Sequence, residues 1–263
     1  MKYSFMSFSC PELSFIEMLD VARKYGYDGV EPRISAKHKH GIEFDSSDAF
    51  RNLCKQQAQE SAIQICCIAT SCRYADPATK DANIRETHQA IDLAGDVGVP
   101  RIRVFGGPIP DGISREHAID SVAASLRAVA EHAAERGVVV CMETHDHWCD
   151  PAHVASVMQK VNHQAIAVNW DIMHPVRTAK VTMEDAFKTL KKWIKHVHFH
   201  DGVSEDDGKG LLRPIGLGII DHRRAVKLLK KMNYQDFLSG EWIDWEPFEM
   251  HLPRELKTIK GFE

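Results

Sequence analysis

The stretch SREHAIDSVAASLRAVAEHAAERGVVVCMETH, residues 114–145, decides the fold. From Ser114 to Arg136 its apolar residues recur at helical spacing, and from Val138 to His145 it is a β-rich run. Gly137 stands between them, where a left-handed residue ends a helix. The same succession of helix, glycine and strand returns twice. Phe15 to Tyr25 leads through Gly26 to Gly29–Arg33, and Ile84 to Val97 leads through Gly98 to Arg101–Gly107. Further helical patterns cover Asp48 to Ser61 and Asp221 to Met232, and further strand candidates cover Tyr3–Ser9, Ile63–Thr70, Ile166–His174, Ile194–Asp201 and Phe237–Ile243. Strands separated by helices are parallel, and eight such units in about 250 residues fit a single-domain α/β fold, a (β/α)8 TIM barrel over residues 1–263. An open doubly wound sheet often starts with a glycine-rich phosphate loop, but the first turn here is Phe8-Ser9-Cys10-Pro11.

Composition narrows the function classes. Lys plus Arg number 33 and Asp plus Glu 37, a net charge of −4, which argues against a nucleic-acid partner held by charge. No apolar run approaches the roughly 20 residues of a membrane helix, and the first ten residues lack a signal-peptide pattern, so we expect no membrane partner and a cytoplasmic location. The seven cysteines are odd in number and form no Cys-x-x-Cys pair, which favours reduced thiols and reads Cys10 as a small buried hydrophobe rather than a nucleophile. A homo-oligomer is compatible with the sequence, which carries no sign either way.

Barrel chemistry is built where strands end. Four consecutive strands finish in residues able to bind a metal: Glu143 in Val-Cys-Met-Glu-Thr-His, Asp171 in Val-Asn-Trp-Asp, a histidine of His-Val-His-Phe-His-Asp, and Glu241 in Leu-Ser-Gly-Glu-Trp. Strand alternation puts Cys141 with Glu143, Asn169 with Asp171 and Ser239 with Glu241 on the inner face, and turns Trp170 and Trp242 outward under the helices. On spacing alone His196, His198 and His200 all qualify. Three carboxylates and one imidazole make an oxygen-rich site suited to one divalent ion, Mn²⁺, Mg²⁺ or Co²⁺, with Zn²⁺ also admissible.

Taken together, Gly26–Glu31, Arg103–Gly107, Glu143–Asp146, Asp171–His174, His196–His198 and Glu241 resemble, in order and spacing, the xylose isomerase-like TIM barrels, the sugar phosphate isomerase and epimerase family. The resemblance spans essentially the whole chain. It implies that Glu143, Asp171, His198 and Glu241 hold the metal and that His174 and Arg213 hold substrate oxygens. Two departures fall near the substrate: His200 stands where many members have lysine, and Gly216-Leu217-Gly218 replaces Gly-Glu-Gly.

The expected activity is metal-dependent isomerisation or epimerisation of a keto-sugar, with Glu143 and Glu241 as catalytic acid and base around an enediolate. The nearest alternative is dehydration of a cyclic keto-polyol of the inosose or 3-dehydroshikimate type, which starts with the same proton abstraction. An endonuclease IV-like abasic-site nuclease is more distant, because strand four ends in Phe105-Gly106-Gly107 where that branch has histidine. A sugar- or protein-binding barrel without catalysis would have no use for paired bases. Either a sugar or a keto-polyol makes the partner a small molecule.

Other residues are assigned plainer roles. His196 reads as a hydrogen-bonded core residue and His200 as a rim residue near substrate. His145 shares the Glu143 face, in contact with substrate or just behind it. Glu31 either lines the far side of the pocket or forms a surface ion pair. His38 and His40 read as solvent-exposed, and Trp148 as pocket wall or core. Gly216 and Gly218 either cradle a phosphate with their amides or simply form a helix-entry turn.

Overall fold

The structure, a computed structural model, describes residues 1–204 and 211–263. Its parallel sheet has nine segments that make eight barrel strands. These are β1 (Lys2–Met6), β2 (Gly29–Glu31), β3 (Gln64–Ile65, resumed at Ile68–Arg73), β4 (Arg101–Phe105), β5 (Val139–Glu143), β6 (Ile166–Asp171), β7 (Ile194–Phe199) and β8 (Phe237–Gly240). The sequence reading of Ile63–Thr70 as one unbroken strand is corrected here. The first half of β3 pairs with β2 through Gly29–Gln64 and Val30–Ile65, and the second half pairs with β4 through Ile68–Ile102 and Ala69–Arg103. Pro32 has no N–H to continue the β2 ladder, so the pairing lapses there and resumes at a bridge between Arg33 and Ala69. The barrel closes through this kinked strand.

The helices surround the barrel: α1 (Phe15–Tyr25), α2 (Asp48–Ser61), α3 (Lys80–Val97), α4 (Arg115–Glu135), α5 (Pro151–Val161), α6 (His174–Arg177), α7 (Met183–Leu190), α8 (His222–Lys231) and α9 (Phe248–Lys260). Gly26, Gly98 and Gly137 follow their helices with φ of 83°, 80° and 68°, the left-handed geometry their positions required. Helix α3 starts four residues before Ile84 because its first turn, Lys80-Asp81-Ala82-Asn83, is too polar to show apolar periodicity. The outward tryptophans pack as their phase demanded. Trp170 lies 5.8 Å from Phe187 of α7, and Trp242 lies between Phe199 at 5.5 Å and His251 of α9 at 5.1 Å.

All seven cysteines are unpaired and buried, and burial pushes the Cys10 thiol up to about 12, which leaves it inert. Among the described residues no helix is long and apolar enough to cross a membrane.

Candidate active site

Register brings the strand ends together. Glu143 pairs with Asn169, Asp171 with His198, and Ser239 with His198, so β5, β6, β7 and β8 deliver their last inward residues to one place. Glu241 follows β8 by one residue, and its N–H donates to Phe199 O at 3.2 Å. Gly240 before it has no substitute, since a Cβ there would collide with the Trp242 ring. The Thr144 hydroxyl fixes the end of β6, accepting from Asp171 N at 3.0 Å and donating to Asp171 O at 3.1 Å.

One donor atom each from Glu143, Asp171, His198 and Glu241 lies within 4.8 Å of all the others, and all four residues are buried. His198 Nδ1 is 3.2 Å from Glu143 Oε1 and 3.4 Å from Glu241 Oε2. Glu143 Oε2 and Asp171 Oδ2 lie 3.0 Å from Arg103 Nε and 2.8 Å from His200 Nε2, yet neither buried oxygen accepts an aligned hydrogen bond. The oxygens that approach His198 Nδ1, Glu143 Oε1 and Glu241 Oε2, together with the buried Asp171 carboxylate, make an oxygen-rich set with one imidazole that fits a divalent ion.

Charge is concentrated here. Burial would lower His198, but the charges of Glu31 and Glu143 raise it well above the ordinary histidine range. Burial would likewise raise Glu241, but His198 beside it holds its carboxyl down to about 2. Asp171 is kept well below the carboxylate range by His200 and His174, against the same burial. A cation taking the His198 Nδ1 lone pair therefore displaces a proton. Calorimetric Mn²⁺ affinity should strengthen as pH rises from about 6 to about 8, by up to roughly tenfold per unit for one proton released. A pH-independent affinity would remove His198 from the ligand set.

Beside the four donors His145, His174 and His200 form a wall, with ring centroids 4.6 Å and 5.4 Å apart in sequence. His200 is buried, closed onto Asp171 rather than standing at an open rim. His174 begins α6, and its N–H, with that of Met173, donates to Asp171 Oδ1. His145 Nδ1 is 2.9 Å from Asp146 Oδ1; burial opposes its charge, but Asp146, Glu143 and Glu241 raise it to about 9. Arg213 is not drawn into this group. It sits exposed on a short ribbon in which Leu212–Arg213 pairs with Asp201–Gly202, and its guanidinium contacts the Leu212 carbonyl.

Several expectations need correction. Glu31 forms no surface ion pair: it is fully buried and accepts from His196 Nε2 at 2.8 Å and His198 Nε2 at 3.0 Å, which makes His196 the hydrogen-bonded core residue its position suggested. His40 is buried because its ring bonds Arg33 O and Ile42 N, whereas His38 is half-buried against Ser7 Oγ. Trp148 is core, its Nε1–H donating to Gly107 O. The Gly216 and Gly218 amides are unavailable to a phosphate: both donate to Asp201 Oδ2, while Gly202 and Ile220 donate to Oδ1.

Two buried residues beside the site escaped the sequence reading, Arg103 and Asp201. Arg103 is 1% exposed and caps the Glu143 carboxylate from β4. A cleft of about 640 Å³ at the opposite end of the barrel, lined by Lys2, Gln64, Arg101 and Asp236 among others, contains none of these donors, and strand N-terminal ends belong to stability rather than chemistry in this architecture.

3-Dehydroshikimate dehydratase of Bacillus anthracis is 23% identical over 279 aligned residues, covering 98% of this chain and 96% of that one. The crystal structure of the probable 3-DHS dehydratase AsbF, involved in petrobactin synthesis in the same organism, superposes with a TM-score of 0.83 at 20% identity, over 99% of each chain. D-psicose 3-epimerase superposes with a TM-score of 0.81 at 16% identity, over 100% of this chain and 99% of that one. At these identities the structural likenesses establish the fold. The xylose isomerase-like TIM barrel family model matches residues 19–262, and the chain belongs to that family.

Proposed function

We propose that the protein is a metal-dependent dehydratase of a cyclic keto-polyol. The observation that carries this reading is the unequal pairing of the two glutamates. Glu143 is committed to a buried ion pair with Arg103, whereas among the described residues Glu241 pairs with His198 and with no arginine. A two-base epimerase wants equivalent groups on opposite faces of one carbon. A carboxylate held by no arginine, in a site that also holds an imidazole backed by Asp146, suits one base and one acid. The dehydratase relative, similar along nearly its whole length, supports the same choice.

A divalent ion held by Glu143, Asp171, His198 and Glu241 would acidify the C–H beside a carbonyl and offset charge developing on its oxygen. Glu241, deprotonated at neutral pH, takes the proton from carbon. His145, which carries a proton at that pH, gives it to the departing hydroxyl, so a carbon–carbon double bond forms and one water leaves. His174 and His200 line the adjacent wall and orient substrate oxygens, whereas Arg213, exposed on its ribbon, is given no part in the step. Exchange with solvent returns both proton carriers to their starting states.

Epimerisation is the second reading, favoured by the approach of Glu143 and Glu241 to the same His198 nitrogen at 3.2 and 3.4 Å. Mass spectrometry after incubation with keto-polyols and keto-sugars in D₂O separates the two. The dehydratase yields a product lighter by one water, whereas a deuterated isomer of unchanged formula, with no water lost from any compound, would replace it with the epimerase.

A further inference from the structure

Glu31 has no part in the chemistry above, yet it is completely buried and both of its oxygens are engaged from across the lumen. It ends β2, and β1 and β8 separate that strand from β7 in the sheet, so the side chain spans the interior to reach two histidines of one strand. Its Oε1 lies 3.0 Å from His198 Nε2 and its Oε2 lies 2.8 Å from His196 Nε2. Glu31, His196 and Cys66 also offer donor atoms within 4.8 Å of one another, but they do not make a second cation site. The Cys66 thiol donates to Ser4 Oγ at 3.2 Å, and burial pushes it up, so it stays a thiol rather than the thiolate a metal takes.

We infer that Glu31 is the positioning residue of the metal centre, accepting the Nε2–H of His198 and so committing the Nδ1 lone pair to the cation. This role rests on the metal-site reading and adds to it the group that selects the histidine's tautomer. An imidazole ligand can present either nitrogen, and the hydrogen bond made by the other decides which. Here the decision is geometric. Nδ1 faces Glu143 and Glu241, Nε2 faces Glu31, and the carboxylate cannot rotate away because its second oxygen is tied to His196. A carboxylate behind the imidazole also makes it a stronger donor to a cation than a neutral acceptor would. Glutamate supplies the reach. Aspartate, one methylene shorter, would hold the charge but not both contacts.

The test uses Co²⁺ alone as the probe, titrated calorimetrically into metal-free protein. Glu31→Gln preserves shape and removes charge, and should weaken Co²⁺ binding by about 10–100-fold with an unchanged circular-dichroism spectrum. Glu31→Asp should fail to rescue it. The second readout needs no variant. In the Zn²⁺-loaded wild type with ¹⁵N-labelled histidine, His198 should carry its proton on Nε2 and bind the ion through Nδ1, and this settles the matter even where Glu31→Gln does not fold. Co²⁺ affinity of Glu31→Gln within about threefold of wild type, or a Zn²⁺ form with the proton on Nδ1, overturns the role of Glu31 alone. A wild type that binds neither ion overturns the metal site itself and this inference with it.

Discussion

Glu241→Gln should slow turnover by at least about 10²-fold while the protein keeps its fold and a measurable share of its metal. The amide matches the carboxylate in size and retains an oxygen that can face a cation, but it cannot accept a proton from carbon. Because His198 holds the Glu241 carboxyl down to about 2, the wild-type group is a ready base throughout the neutral range, so the loss reflects chemistry rather than an altered protonation state. Glu143→Gln, which takes no proton in the proposed reaction, should slow turnover less, through a weaker hold on the metal, and should also cost stability, since it strips Arg103 of its buried counter-charge. Single-turnover rates beside elemental analysis check both. Full activity in Glu241→Gln would take that residue out of the mechanism, and complete metal loss would make it a ligand first and a base second.

The three carboxylates were legible because strand alternation is rigid: once Trp170 and Trp242 face the helices, Asp171 and Glu241 can only face the lumen, whereas alternation left His196, His198 and His200 equally open and only the resemblance picked out His198. Helix stops were equally plain, since a glycine that must adopt positive φ announces itself. What escaped was pairing across the barrel. Arg103 stands opposite Cys141, on the face Cys141 shares with Glu143, so phase alone placed it inside. Nothing local said that it would meet a carboxylate rather than point past it. Glu31 was visible as the end of a strand, but its two histidines lie about 165 residues away and depend on the width of the lumen. Asp201 is harder still. Three of its four amide partners, Gly216, Gly218 and Ile220, lie 15 to 19 residues on in a loop that Asp201 itself ties down, so neither half signals the other. The kink in β3 had a local cause in Pro32, but its position followed from the need to satisfy β2 and β4 at once.

Arg103→Leu should destabilise the metal-free protein by about 3–5 kcal/mol, the range for removing one partner of a buried ion pair. Leucine fills much of the space but leaves the Glu143 carboxylate, 1% exposed, without its cation, and it removes the donor to Thr70 O at 2.7 Å and the guanidinium stacked 4.0 Å over Phe105. Saturating Mn²⁺ should shrink this deficit, because a cation on Glu143 supplies the charge that arginine no longer does. Linkage then requires that Arg103→Leu bind Mn²⁺ more tightly than the wild type by the same free energy. Thermal melts of both proteins, with and without Mn²⁺, measure the two deficits, and calorimetric affinities close the cycle. Equal deficits in both states would mean that Glu143 does not contact the ion. The double variant Arg103→Leu/Glu143→Leu, which buries no charge, should regain most of the stability lost by the single one while forfeiting the site, because the pair's attraction does little more than offset the cost of taking both charges out of water. Leucines at both positions would serve the fold as well, so stability alone does not account for the buried pair.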